Sequence, residues 1–214
     1  MTDPIQRIRA HFPTIQITMV SIVVALALQE LLDRLPTIDA LWEPSWIAAR
    51  IWCQAFVAFA IIIKMWSGFV LNASISERVP GPIDLLGPMG ILVFVDAQIA
   101  SIGVDGFARW AYILGAGSLV AAAYISSQRI TTASSAVTAT AARRAFRSIP
   151  NPAFVEAWIA AAALAAGLAH QTLQLGERGL LIAAGSLLVV EAASAIGPIF
   201  AWRVLRQIEQ ETVS

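Results

Sequence analysis

Residues 48–71 read AARIWCQAFVAFAIIIKMWSGFVL, and this stretch decides the class of protein. It contains only two charged residues, Arg50 and Lys64. A helix that crosses the hydrocarbon core of a bilayer needs about 20 consecutive apolar residues, and this stretch is long enough. The chain contains five further stretches of the same kind. The six predicted spans are residues 14–35, 48–71, 83–102, 107–128, 153–175 and 179–203.

The composition of the whole chain agrees with this interpretation. Of the 214 residues, 58% are hydrophobic and 13% are charged, whereas a soluble domain has about 25% charged residues. Six spans leave little room for a soluble domain. The sequence therefore predicts an all-α, polytopic membrane protein with one transmembrane domain over residues 1–214.

The distribution of arginine predicts the orientation of the chain. Cytoplasmic loops of membrane proteins carry an excess of Lys and Arg. With both termini in the cytoplasm, nine arginines fall inside, namely Arg7, Arg9, Arg78, Arg129, Arg143, Arg144, Arg147, Arg203 and Arg206. Four fall outside, namely Arg34, Arg50, Arg109 and Arg178. We therefore predict cytoplasmic termini and a location in the cell inner membrane.

The N-terminal segment has a second interpretation. Arg7 and Arg9, the apolar run after them and the small residues Ala25 and Ala27 resemble a secretory signal peptide with its cleavage site. The apolar run, however, continues to Leu32. This length favours a membrane span over a signal peptide.

Ionisable residues inside the predicted spans are the best pointers to function, because a charged group in hydrocarbon is costly unless it faces protein or water. At 1.5 Å of rise per residue, three of them lie about 8–11 Å below the outer surface, one lies near the midplane and one lies slightly further inward. The candidate ion-binding or proton-binding residues are, from the outer side inward, Glu30, Asp96, His170, Glu191 and Lys64.

Several uncharged polar residues fall in the same outer half of the predicted spans. A hydrated cavity open to the outer side would bring such residues together. Hydrogen bonds between membrane helices are the alternative explanation, especially for the glutamines. The candidate cavity-lining residues are Gln29, Gln54, Gln98 and Gln171, with Glu156 at the cytoplasmic start of the fifth span.

Possible partners for these charges follow from their depth. Lys64 and Glu191 are both deep, so we expect an ion pair if their helices touch, either structural or part of a charge relay. Lys64 could instead extend its ammonium to the nearby inner interface. Glu30 lies closer to the outer interface, where Arg34 or Arg50 could pair with it.

The fifth span carries one stripe of small and polar residues at helical spacing. Glu156, Ala160, Ala163 and Gly167 lie on this stripe, followed by His170 or Gln171. Small residues allow another helix to approach closely, which is the simpler interpretation. The alternative is a narrow permeation path with Glu156 at one mouth and His170 at the other.

The sequence lacks the common signatures of catalytic and cofactor sites. His11 and His170, the two histidines, are predicted on opposite sides of the membrane, so paired histidine ligands for haem or zinc are excluded. The single cysteine excludes a C-x-x-C motif. We expect no cofactor, no metal site and no enzymatic activity. The zero net charge also argues against a nucleic-acid partner.

Two functional hypotheses remain open at this stage. The first is a permeation protein in the lipid bilayer: a channel for protons or monovalent cations, or a proton-coupled transporter of a small solute. Intramembrane carboxylates would serve it, and it would act as a homo-oligomer. The second is a non-catalytic scaffold or accessory subunit of a larger membrane complex, in which the same charges are ordinary interhelical pairs.

Overall fold

A computed structural model describes residues 4–75, 82–132 and 151–213 of the chain. These residues form six long helices and two short 3-10 helices, Leu35–Thr37 and Asp39–Trp42, and contain no strand. The long helices are α1 Pro4–Arg34, α2 Trp46–Ile75, α3 Pro82–Ala100, α4 Phe107–Thr132, α5 Pro152–Leu173 and α6 Glu177–Val213.

The helices have the length and apolar character of membrane spans. Within the described residues, α1, α2, α4, α5 and α6 each contain an apolar segment long enough to cross a bilayer, and α3 contributes a shorter one, Leu86–Ala100. The predicted all-α polytopic membrane protein is confirmed. The orientation of the termini stays a prediction, and Arg78, Arg143, Arg144 and Arg147 lie outside the described residues.

Two helices extend beyond their predicted spans. α1 begins at Pro4, not at residue 14, and continues through Pro13. α6 continues to Val213, beyond the predicted end at residue 203. Hydropathy marks only the part of a helix that suits hydrocarbon. A helix that continues into a polar environment is therefore longer than its apolar segment.

Local hydrogen bonds explain where α2 begins and where α5 begins and ends. The Ser45 hydroxyl accepts from the Ala48 N–H at 3.1 Å, which caps the start of α2. The Asn151 side chain accepts from the Ala153 N–H in the same way at the start of α5. At the other end of α5, Gln174 adopts a left-handed conformation with φ 48°, and its N–H donates to the His170 carbonyl.

α2 lies at the centre of the bundle. Half of the most apolar segment of α2 is buried within the protein, compared with 22–33% of the corresponding segments of the other spanning helices. It packs against α1, α3 and α6, and its buried residues Ile51, Val57, Ala58 and Ile62 belong to the main apolar core. Any polar side chain on the inward face of α2 is therefore enclosed by protein.

α4 and α5 pack closely along the predicted small-residue stripe. Glu156, Ala160, Ala163 and Gly167 are all buried. A Cβ atom at Gly167 would lie 2.9 Å from the Tyr112 ring, which shows how near α4 approaches. The helix-packing interpretation of this stripe is therefore confirmed.

Candidate functional site

Lys64, Glu156 and Glu191 meet inside the bundle, and we call this cluster the Lys64 centre. The Lys64 ammonium lies 2.8 Å from Glu156 Oε1 and 2.5 Å from Glu191 Oε2. The three residues come from α2, α5 and α6. The ammonium thus joins three helices through two carboxylates.

The Lys64 centre is almost completely enclosed. The side chain of Glu191 is 0% exposed, that of Glu156 5% and that of Lys64 16%. Lys64 is therefore the least buried of the three side chains.

Two serine hydroxyls complete the surroundings of the carboxylates. Ser194, one turn after Glu191 on α6, donates to the Glu191 backbone carbonyl at 2.8 Å and lies 3.3 Å from Glu191 Oε2. Ser118 on α4 is buried close to the Glu156 carboxylate. α4 therefore also contributes to the centre.

One oxygen atom of the Lys64 centre has no hydrogen-bond partner among the described residues. Glu191 Oε1 is buried and makes no hydrogen bond within the described part of the chain. An ionised carboxylate in a dry interior requires partners for its charge. Counted by formal charge, two carboxylates face one ammonium, so the centre lacks one positive charge when all three groups are ionised.

The predicted pair of Lys64 and Glu191 is confirmed. The participation of Glu156 was not predicted, because depth along the chain placed it at the mouth of a path. α5 begins at Pro152, so Glu156 lies one turn inside the helix. Its place on the buried stripe with Ala160 and Ala163 was the signal that it faces other helices.

The remaining candidate residues lie elsewhere. Gln29, Glu30 and Asp96 are exposed on α1 and α3. Gln54 and Gln98 are buried. Among the described side chains, none of these five forms a hydrogen bond or ion pair with the Lys64 centre. Their predicted roles in ion binding or cavity lining stay predictions.

His170 and Gln171 end the stripe on α5 and contact α4. The His170 ring packs edge-on against Phe107, with 5.7 Å between ring centroids. Gln171 Oε1 accepts a hydrogen bond from the Tyr112 hydroxyl at 2.8 Å. These contacts connect α5 to the first turns of α4.

A second buried cation, Arg50, was not among the predicted site residues. We call Arg50 and its three hydrogen-bond partners, Glu177, Gly103 and Val104, the Arg50 lock. The Arg50 side chain is 0% exposed. Arg50 Nε donates to Glu177 Oε2 at 3.0 Å, and its other nitrogens donate to the backbone carbonyls of Gly103 at 3.3 Å and Val104 at 2.8 Å. The lock joins the starts of α2 and α6 to the loop between α3 and α4.

The expectation that Arg34 or Arg50 pairs with Glu30 is wrong. Arg50 binds Glu177, and Arg34 donates to the hydroxyl of Thr37 and to the carbonyl of Ile102. Loop carbonyls at the end of α3 lack helical partners, and the two arginines supply donors to them. The sequence alone does not show which backbone carbonyls lack a helical hydrogen-bond partner in the folded chain.

The Arg50 lock and the Lys64 centre both connect α2 to α6, and the paired residues have the same separation in the sequence. Arg50 and Glu177, like Lys64 and Glu191, are 127 residues apart in the chain. α2 and α6 therefore run parallel, with basic residues at 50 and 64 facing acidic residues at 177 and 191. The two ties are about 21 Å apart along the helices. This matched spacing was a signal available in the sequence.

Gly106 fixes the loop that the Arg50 lock holds. A Cβ atom at this position would lie 2.1 Å from the Ser101 backbone oxygen. We expect Gly106→Ala to lower the free energy of unfolding by about 1–3 kcal/mol, the range for overpacking, in denaturant titrations in detergent. Gly90→Ala is the matched control, because a Cβ there meets no atom within 4 Å. Equal stability of the two variants would contradict the tight loop.

These contacts define the site from the residues of this chain alone. No protein-family model, curated protein or solved structure matches the sequence or fold.

Proposed function

We propose that this protein moves protons or monovalent cations across a membrane, as a channel or as a proton-coupled transporter of a small solute. The Lys64 centre is the charged element of this function. One observation supports the proposal above the others: two buried carboxylates share a single ammonium, and one carboxylate oxygen has no hydrogen-bond partner among the residues that the structure describes.

The energetic cost of such an arrangement supports a functional role. A buried ion pair contributes little to stability, since desolvation offsets much of the attraction. A second carboxylate adds a charge that the single ammonium cannot balance. Ionisable residues in membrane spans commonly mark proton or ion pathways. A chain that only needed to hold α2, α5 and α6 together could do so with apolar contacts.

The other predicted residues take supporting roles in this proposal. Glu30 and Asp96, both exposed, would concentrate cations near one end of the bundle. The proposal includes the cell inner membrane as the location and a homo-oligomer as the working state. Only 22% of the most apolar segment of α6 is buried within one chain. The remaining surface of this segment is available to lipid or to a second copy of the chain.

Flux measurements in proteoliposomes that contain only the purified protein test the proposal. A pH-sensitive dye is trapped inside, and H⁺, K⁺ and Na⁺ gradients are imposed in turn. We expect selective flux that falls by roughly tenfold or more in Glu191→Gln and Glu156→Gln, which corresponds to about 1.4 kcal/mol or more of lost stabilisation for the moving ion.

The matched control is Glu43→Gln, which removes the same charge from an exposed position between α1 and α2. It should retain the flux of the unmodified protein. Flux that survives in both centre variants, from protein shown to be folded, would contradict a role of the centre in permeation.

A specific observation also favours the second candidate, a membrane scaffold or accessory subunit. Glu156 and Glu191 each have one oxygen bonded to Lys64, as interhelical structural pairs would. This candidate predicts no flux for any ion and unchanged assembly with a partner complex when all three charges are removed together. Pull-down of the triple variant Lys64→Met, Glu156→Gln, Glu191→Gln would separate the two functions.

A further inference from the structure

We propose that Glu156 and Glu191 together hold one proton per chain, and that Glu191 Oε1 is the atom that carries it. This inference rests on the proposed function, because it names the proton as the ion that the Lys64 centre handles. The flux experiment would show only that the Lys64 centre takes part in transport. The inference also states that the centre holds one proton, and on which atom.

The hydrogen-bond partners of the carboxylate oxygens indicate that Glu191 Oε1 is the atom that carries the proton. Glu191 Oε2 accepts from Lys64 and lies within reach of the Ser194 hydroxyl. Glu156 Oε1 accepts from Lys64, and the buried Ser118 lies near the Glu156 side chain. Glu191 Oε1 is buried without a partner in the described part of the chain. A proton on this oxygen removes the charge that nothing else in the centre compensates.

The charged groups around Glu191 support a count of one proton. Within the described ranges, α6 packs mainly against α2 and α5. α2 presents Lys64 to Glu191, and α5 presents Glu156. With one added proton, the three side chains sum to zero, which is the state that a dry interior favours.

The geometry favours a proton over a metal cation. A metal cation bound by oxygen requires several ligands around it. In this centre the ammonium already occupies the position between the two carboxylates. Moreover, no group of three or more His, Cys, Asp and Glu side chains in the described ranges could hold a metal ion. A proton needs only one oxygen.

Exchange of this proton is a simple transfer to and from water. On loading, hydronium gives its proton to Glu191 Oε1, an O–H bond forms and neutral water departs. On release, a water molecule accepts the proton and the carboxylate charge returns. The ammonium of Lys64 compensates one negative charge throughout.

Infrared spectroscopy of the protein in lipid at neutral pH tests the inference, because a protonated carboxylic acid has its own C=O stretching band. We expect one such band per chain, shifted by exchange into heavy water. Glu191→Gln and Glu156→Gln should each lose it completely, since one carboxylate and one ammonium already balance. Lys64→Met should double it, since two carboxylates then remain without a cation.

The matched control, Glu43→Gln, should keep the single band. No band in the unmodified protein would overturn the inference, and so would a band that persists in either centre variant. Addition of Na⁺ or K⁺ that removes the band would also overturn it, because a metal cation would then compete for the site. If Lys64→Met does not fold, the two glutamine variants still decide the result.

The outcome is separable from the flux experiment. A band with the predicted variant pattern but no flux keeps the proton site and contradicts the permeation function. Flux that depends on Glu191, without a protonated acid in the resting protein, keeps permeation and contradicts the resident proton.

Discussion

Replacement of Lys64 with methionine is expected to lower the free energy of unfolding by about 3–5 kcal/mol, the range for breaking a buried ion pair by removing one partner. Methionine fills a similar volume but leaves Glu156 and Glu191 without their shared donor. Either a carboxylate stays charged in the interior or it must take up a proton, and both are costly at neutral pH. Denaturant titration of the protein in mixed micelles measures the loss.

A triple variant provides the control for this prediction. Lys64→Met combined with Glu156→Gln and Glu191→Gln removes all three charges and keeps similar side-chain volumes. We expect it to recover most of the lost stability, because uncharged replacements of a buried ionic group are commonly neutral or stabilising. Equal stability of the single Lys64 variant and the triple variant would contradict the prediction that unpaired Glu156 and Glu191 destabilise the protein.

Replacement of Arg50 with methionine is also expected to be strongly destabilising, with a loss of about 3 kcal/mol or more in the free energy of unfolding. Each hydrogen bond to a charged group contributes roughly 1.5–3 kcal/mol, and Arg50 makes three of them from a side chain that is 0% exposed. The carbonyls of Gly103 and Val104 lose their donor. The same unfolding titration measures this effect.

Glu177→Gln is the matched comparison within the Arg50 lock. The Glu177 side chain is 39% exposed, and glutamine retains an oxygen that can accept from Arg50 Nε. We expect a loss of about 1 kcal/mol or less, as for partly exposed ion pairs. Similar losses for the two variants would mean that the ion pair, not the binding of the loop carbonyls, determines the contribution of Arg50.

The fold was predictable because hydropathy reports directly on the environment of each helix. Residues 48–71 are too apolar for anything but an enclosed or lipid-facing helix, and α2 is both. The ends of the helices were less predictable. α1 begins at Pro4 and α6 ends at Val213, since hydrogen bonding continues a helix after its apolar character stops.

The candidate site was predictable in part. Similar depth was enough to pair Lys64 with Glu191, because an ion pair requires little more than a common level and touching helices. Glu156 was not paired in advance, since its partner depends on the rotation of α5, which close contact with α4 through Gly167 and Tyr112 determines. The partners of Arg50 depend on loop carbonyls, whose positions exist only in the folded chain.

The parallel register of α2 and α6 constrains how the chain can change in length. Insertion of one residue between Arg50 and Lys64 would turn the rest of α2 by about 100° and move Lys64 away from Glu191. A compensating insertion between Glu177 and Glu191 would restore both ties. The two segments, far apart in the sequence, can therefore gain or lose residues only together, and homologues that keep both ion pairs should show insertions and deletions here in matched sets.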